Sequence, residues 1–446
     1  MTSPATVEDA RASRSTDYDA IVLGAGISGL VSASVLLEQG ARRILVVDEY
    51  ERVGGNHIDR HHRGYTFDVG SFIFQDDSPL LAHFPELLPL YVPIDPSWAK
   101  LNPQRFVTRY PFSVRDDLLA AGPLECGRML LSAGLARLRR SPLRNAKDFA
   151  QYWLGARLLH RSGLDSYMER FCGLPIDKID LRFAEKRMLW IAEHARVSNQ
   201  VGRLLRMLRR SPAPPPSNRQ LARPRAGFES LYAAAVQSLE ARGVVFALGR
   251  RPDRIDRADV GFVVHLGGAE LRADRMVSTI PIDHARALCG FAPDQSLPTV
   301  TLISLFFSFS GRRGFAESIL YNFSHQGAWK RLTTYSDFYG PHDGREYFGV
   351  EVLADQIGHS VEAAERDFRD HTTRNGLFDG ELQLEGSHVL EHAYPIYTEG
   401  SGERAEQSIA ELRAFGLESF GRQGSFHYQP TARVSTQEAE SALRPA

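Results

Sequence analysis

The first patterned stretch of the chain is apolar without alternation: YDAIVLGAG, residues 18–26, runs into glycines as a strand buried on both faces does. From Gly29 to Gln39, small and aliphatic residues recur at helical spacing, and Arg43 to Asp48, RILVVD, forms a second buried run. Strand, helix and strand in this order require a right-handed crossover and a sheet covered by helices, so an α/β fold is predicted. The 17 residues before it are polar and predict a disordered lead. From Asp116 to about Arg210 the period is helical, most clearly in DLLAAGPLECGRMLLSAGLARLRR and VGRLLRMLRR. This predicts an inserted helical subdomain. Its end, SPAPPPSNRQLARPRAG, predicts a mobile loop or lid edge, because proline removes backbone donors. FESLYAAAVQSLEARG returns to helix, while GVVFALGR and RADRMVSTIP read as strands. TVTLISLFFSFS and the alternation in EYFGVEVLA predict a separate, antiparallel sheet.

Composition narrows the function classes. Of 446 residues, 53 are Lys or Arg and 54 Asp or Glu, so a net charge of −1 provides no general field for a nucleic-acid backbone or an anionic bilayer. Cys126, Cys172 and Cys289 are too scattered for a zinc cluster or a CxxC pair and fit a reducing cytoplasm. No apolar run is long enough to span a membrane, and the start lacks the apolar core of a secretion signal. A multidomain enzyme with a small-molecule substrate is expected, with a homo-oligomer possible.

The strongest chemical signal is Gly24-Ala-Gly26-Ile-Ser-Gly29, placed where the strand meets the helix. Gly24 permits the turn, Gly26 leaves room for a pyrophosphate, and Gly29 lets the helix lie against the sheet, with helix-start amides facing the phosphates. Asp48 stands 19 residues after Gly29 at a strand end, where a carboxylate accepts ribose hydroxyls; Glu49 beside it is the less favoured choice. A second glycine pair, Gly54-Gly55, then permits close approach of a cofactor longer than a nicotinamide dinucleotide, and Arg52 is placed to neutralise phosphate. FAD is the cofactor this combination predicts. HIDRHHRG, with His57, His61 and His62, invites a metal reading, but no companion ligand set closes a site, so no metal is expected. The segment is read first as exposed or pocket polarity, with Asn56 and His57 as candidate neighbours of the flavin or substrate.

These elements resemble the flavoprotein group that contains amine oxidases, protoporphyrinogen oxidase, phytoene desaturases and UDP-galactopyranose mutase. The resemblance implies that Gly24, Gly26, Gly29, Asp48, Gly54 and Gly55 grip FAD, and extends to Asp68, Gly70 and Ser71 in GYTFDVGSFIF. The order of the predicted elements reads as an interleaved organisation. The expected divisions are 18–115 for the Rossmann-like FAD-binding domain with some substrate-domain strands, 116–225 for the helical subdomain and proline-rich loop, 226–290 for the FAD domain again, 291–398 mainly for the substrate sheet, and 399–446 for a closing contact region.

Further pieces are similar to the nucleotide-sugar mutases: GGN at Gly54 to Asn56, STIPID at Ser278 to Asp283, YNFSHQGAWKRLTTYSDF at Tyr321 to Phe338, AYPIY at Ala393 to Tyr397 and GRQGSFHY at Gly421 to Tyr428. By that resemblance Arg331 is the substrate-phosphate arginine, Gly421 and Arg422 lie beside the flavin, Tyr394 and Tyr428 are pocket tyrosines, and Asn322 belongs to the substrate segment. The bland alternatives are a surface salt bridge for Arg331, a scaffold role for Arg422 and aromatic core packing for the tyrosines. Departures also occur. YMERFCGLP stands where the mutases carry YxxKxWG; Lys186-Arg187-Met188-Leu189-Trp190-Ile191 keeps the first arginine of KRxPxR and has Ile191 for the second; GSFIF lacks a histidine; Gln429-Pro430 displaces an acid. Lys186 and Arg187 are thus either phosphate contacts or helix-surface charges. Two enzyme classes remain: a pyranose/furanose mutase using reduced flavin as nucleophile, and an FAD-dependent oxidase or dehydrogenase of an amine, alcohol or natural-product intermediate.

Overall fold

The computed structural model describes residues 17–70, 73–138, 142–188, 218–292 and 297–444; the polar lead through residue 16 and the VGRLLRMLRR stretch lie outside them. Two seven-stranded sheets organise the chain. In the first, Val244–Leu248, Ile44–Asp48, Asp17–Leu23 and Ala269–Ser278 run parallel to one another, and Phe262–Leu266 and Arg254–Arg257 follow antiparallel. Every residue of Ile44–Asp48 is buried, as the unbroken apolar run requires. Helix Ile27–Glu38 buries its residues from Ile27 through Leu36 and packs against Ala432–Leu443, so helices cover this sheet as expected. In register, Leu23 faces both Val47 and Ser278. The C-terminal ends of three parallel strands therefore bring Gly24, Asp48 and Thr279 to one edge, the position where such sheets bind ligands.

The second sheet has the order Phe378–Pro395, Thr299–Arg313, Glu346–Leu353, Trp329–Thr334, Ile319–Asn322, Trp98–Leu101, Val107–Arg109. All its pairs are antiparallel except Ile319–Asn322 with Trp98–Leu101. Alternation along Thr299–Arg313 separates its faces. Ile303, Leu305, Phe307 and Phe309 meet helix Val361–Arg374 through Phe368, whereas Leu302 and Phe306 join Phe67, Tyr335 and Leu390 on the other face.

Two predicted elements differ. The helical pattern expected from Asp116 begins as short helical turns at Val114–Leu118 and Leu119–Ala121, followed by a helix Pro123–Leu138. Gly122, at φ +83°, ends the turns, and Pro123 starts the helix where its missing N–H is not needed. The proline-rich loop is not loop throughout: Gln220–Ala222 is the middle strand of a small sheet with Phe74–Gln75 and Val92–Ile94. It is anchored by Arg223, which is 1% exposed, pairs with Asp68 and donates to the Thr66 and Pro224 carbonyls. Among the described residues, the subdomain's further α-helices are Ala146–Leu154, Ala156–Ser162, Leu164–Cys172 and Leu181–Arg187.

Candidate active site

At the strand edge, the turn through Gly24 and the start of helix Ile27–Glu38 form one wall of a chamber of about 150 Å³. Gly26, Ser28, Asp48, Gly54, Gly55 and Thr279 also line it. The glycines are there for space: a Cβ on Gly29 would lie 1.9 Å from the Gly24 carbonyl oxygen, and one on Gly24 would lie 2.4 Å from the Thr279 hydroxyl. The buried Asp48 carboxylate accepts from the Ala25 amide at 2.6 Å and the Tyr50 amide at 2.9 Å. Desolvation raises its pKa against those two hydrogen bonds. Glu49 is exposed at the rim.

A second cavity of about 410 Å³ continues from the first, the two sharing Ile27, Asn56, His57, Arg422, Gln429 and Ser435. The second sheet contributes Tyr321, Lys330, Arg331, Glu351 and Tyr394; the helical subdomain contributes Tyr167 and Phe171; the C-terminal segment contributes Tyr428. Arg331, Arg422, Tyr394 and Tyr428, separated by up to 97 positions in sequence, thus meet around one space. Gly70 lines this cavity too, and its carbonyl accepts from the Tyr335 hydroxyl.

Among the described residues, its charges are arranged around one acid. Arg331 Nε donates to Glu351 Oε1 at 2.9 Å, its Nη2 also contacts that oxygen, and Lys330 Nζ lies 2.7 Å from Oε2. Burial disfavours the Glu351 charge, but Arg331 and Lys330 outweigh it and hold the carboxyl at about 2, while Arg331 is correspondingly raised. Lys330 also donates to the Tyr394 hydroxyl at 3.3 Å, and that hydroxyl donates to the Phe171 carbonyl at 2.9 Å. Arg422 stands at the junction of the chambers, where Nη2 donates to the Gln429 carbonyl at 2.6 Å. Burial lowers its pKa, opposed by the hydroxyls of Tyr397, Tyr428 and Tyr394, and it forms no ion pair among the described residues. Burial, then Arg422, holds His57 down at about 3, so the imidazole is neutral where it bonds Tyr232.

Other expected residues are placed differently. Asn322 is 0% exposed, and its side chain is consumed by a turn: Nδ2 donates to the carbonyls of Gln326, Gly327 and Trp329, and Oδ1 accepts from the Ser324 amide and hydroxyl. It therefore shapes the segment leading to Arg331 and has no group left for substrate. Asn322→Ala is expected to lower stability by about 3 kcal/mol, because several buried partners lose their bonds at once, as a urea melt would measure. Arg52 lines neither chamber; it lies 3.2 Å from Glu229 in an exposed pair, a placement that gives no support to a phosphate role. Asp68 is occupied by Arg223 beneath the site. Gly421 lines neither chamber but seats Arg422 against the first helix, where a Cβ would come 3.1 Å from the Ser28 hydroxyl. Lys186 is exposed and outside both lining sets, while Ser71 and the Arg187 side chain fall outside the described residues. Sequence reading missed Lys330, Glu351, Tyr397 and Phe171 as cavity groups. An acid inside the apolar run YFGVEVL was the available signal for Glu351.

Comparison with known proteins accords with this geometry. The signature of the family described as flavin containing amine oxidoreductase matches residues 27–333. The chain belongs to that family. Its cofactor is FAD, and the linked chambers fit it: a glycine cradle that a Cβ would fill, helix-start amides for the phosphates, and a buried cation at the junction. Prolycopene isomerase from Daucus carota is 48% identical over 60 residues, 14% of this chain and 10% of that one. Protoporphyrinogen oxidase 1 from Arabidopsis thaliana is 29% identical over 170 residues, 34% of this chain and 29% of that one. The flavoprotein thus matches only a minor part of these curated relatives. The solved structure of reduced UDP-galactopyranose mutase superposes with a TM-score of 0.76 at 17% identity, covering 96% of this chain and 93% of that chain, and so shares the fold. Among the described residues, no helix is long and apolar enough to cross a membrane.

Proposed function

We propose that this flavoenzyme isomerises an anionic sugar substrate carrying a nucleotide diphosphate, by pyranose/furanose mutase chemistry. One observation carries the reading: the larger cavity is an aromatic chamber in which, among the described residues that line it, Lys330, Arg331 and Arg422 outnumber the acid Glu351. An excess of buried cation is suited to a diphosphate and ill suited to a protonated amine. Reduced FAD, once bound, would supply a nucleophile for the anomeric carbon, with no net electron transfer over the cycle.

The chain's own groups have definable tasks. Glu351 fixes the Arg331 fork through Nε and Nη2, leaving Nη1 to bind a phosphate oxygen. The Tyr394 hydroxyl, held by Phe171 and Lys330, orients the wall beside it. The surrounding rings exclude water and stack on sugar or base. Neutral His57 and the Asn56 amide, which donates to the Ala393 carbonyl at 2.7 Å, tie the dinucleotide chamber to the substrate wall.

A second reading, an oxidase or dehydrogenase of a natural-product intermediate, is favoured by the aromatic wall of Tyr110, Tyr167, Phe171 and Tyr321. The deciding experiment presents anaerobically reduced enzyme with uridine- and guanosine-diphosphate sugars and follows ring-form exchange by chromatography. Turnover without oxygen consumption is expected, and Arg331→Lys should raise KM by roughly tenfold with a smaller change in kcat, because a point charge replaces a fork. No exchange across the panel with flavin fully reduced, together with oxygen-coupled oxidation of apolar substrates, would establish the second reading instead.

A further inference from the structure

Helix Pro123–Leu138 turns its apolar side outward. Met129 is its one buried residue, whereas Leu124, Leu131, Leu135 and Leu138 are 70, 63, 52 and 77% exposed. At helical rotation these four leucines fall within about 60° of one another, with Met129 on the opposite side. That opposite side packs on helices Ala146–Leu154 and Ala156–Ser162. Leu130 and Leu119, 63 and 61% exposed, extend the patch. Among the described residues the helix is covered only on its less apolar side, which reverses the usual arrangement and marks a surface that meets something apolar.

Charge identifies that surface. Between Leu119 and Lys147 the chain carries Arg128, Arg137, Arg139, Arg140, Arg144 and Lys147 against the single acid Glu125. Glu125 is already engaged by Arg128 at 3.4 Å and by Arg157 at 3.0 Å. Arg128, Arg137, Arg144 and Lys147 are exposed. A second copy docked face to face would bring the same basic segment against itself, an unfavourable pairing. Exposed leucines on a locally basic segment, with Arg128 beside them on the helix, instead match the acyl boundary and headgroups of an anionic bilayer. At 16 residues the helix is about 24 Å long, which suits lying in the interface and is short for spanning it.

We propose that helix Pro123–Leu138, with Leu119, docks this enzyme on the surface of anionic membranes. The near-zero net charge of the whole chain is compatible with this, since surface attraction acts within a Debye length and depends on the local cluster. The inference is independent of which reaction the cavity performs.

The test is flotation of the full-length, FAD-loaded protein with vesicles of phosphatidylcholine alone or with about one third phosphatidylglycerol. Binding to the anionic vesicles is expected to exceed binding to neutral ones by about tenfold and to fall as salt rises. The double variant Leu131→Asp/Leu135→Asp should lose about tenfold of that binding while keeping flavin content and melting temperature, because both positions are exposed. Absence of wild-type binding to anionic vesicles, equal binding to both vesicle types, or unchanged binding by the variant would overturn the proposal. So would a concentration-dependent dimer that the variant dissociates, which would assign the face to a second copy.

Discussion

Gly29→Ala is expected to purify without flavin. The added Cβ would sit 1.9 Å from the Gly24 carbonyl oxygen and 2.9 Å from its carbonyl carbon, so the clash is with backbone and no side-chain rotation relieves it. Either the helix retreats from the sheet or the Gly24 turn moves, and both displace the helix-start amides that would meet the pyrophosphate. Loss of at least about 3 kcal/mol of cofactor binding, roughly a hundredfold in Kd or more, is the expected size. The flavin absorbance of the purified protein and its titration with FAD measure this directly. An Ala variant that retains stoichiometric FAD at wild-type affinity would show that the turn does not act as the cradle.

The second large effect is expected at Glu351. Replacing it with Gln removes the buried carboxylate that pairs with Lys330 and Arg331, and breaking a buried pair on one side costs about 3–5 kcal/mol. The pH dependence has a definite sign. Because the folded carboxyl is held near 2, below its ordinary 4.5, the unfolded chain binds the proton more readily. The associated stability is therefore complete above about pH 4.5 and is lost as pH falls through about 2, an amount near 3 kcal/mol for this shift. Glu351→Gln should accordingly unfold earlier in urea at pH 7 and show a flatter decline below pH 5. Unchanged midpoints and an unchanged acid slope would mean that the triad does not stabilise the fold.

What was legible in the sequence follows from the range of each interaction. The crossover around GAGISG is encoded locally, by apolar runs and by glycines whose absent side chains are themselves the signal. Arg331, Arg422, Tyr394 and Tyr428 were singled out through short segments resembling one enzyme group, and the structure places all four on the lining of one cavity. Glu351 was not found, because its partners Lys330 and Arg331 lie on the neighbouring strand and cross-strand register is not written in either segment alone. Asn322 was misread for a related reason: a polar residue in a motif-bearing segment looks the same whether it faces a ligand or closes a turn. The 18-residue strand Phe378–Pro395 escaped notice because it is an edge strand with many polar, half-buried positions, and two register shifts against Thr299–Arg313 interrupt its alternation. At Gly122-Pro123 the break was signalled, but the helical period on either side obscured it.

The two sheets share a trait that bears on how the chain acquires its structure. In the first sheet Asp17 faces Arg272; in the second, Trp98 faces Ile319. Each sheet is thus completed by a strand more than 200 positions downstream, with the helical subdomain threaded between. As the chain leaves the ribosome, the glycine turn and its first helix must wait for the strand ending at Ser278 before their sheet has a centre. Such distant pairing favours slow, concerted folding over assembly one domain at a time. A fragment ending within the helical subdomain would carry every glycine of the GAGISG motif and still lack the central parallel neighbour against which that turn is built.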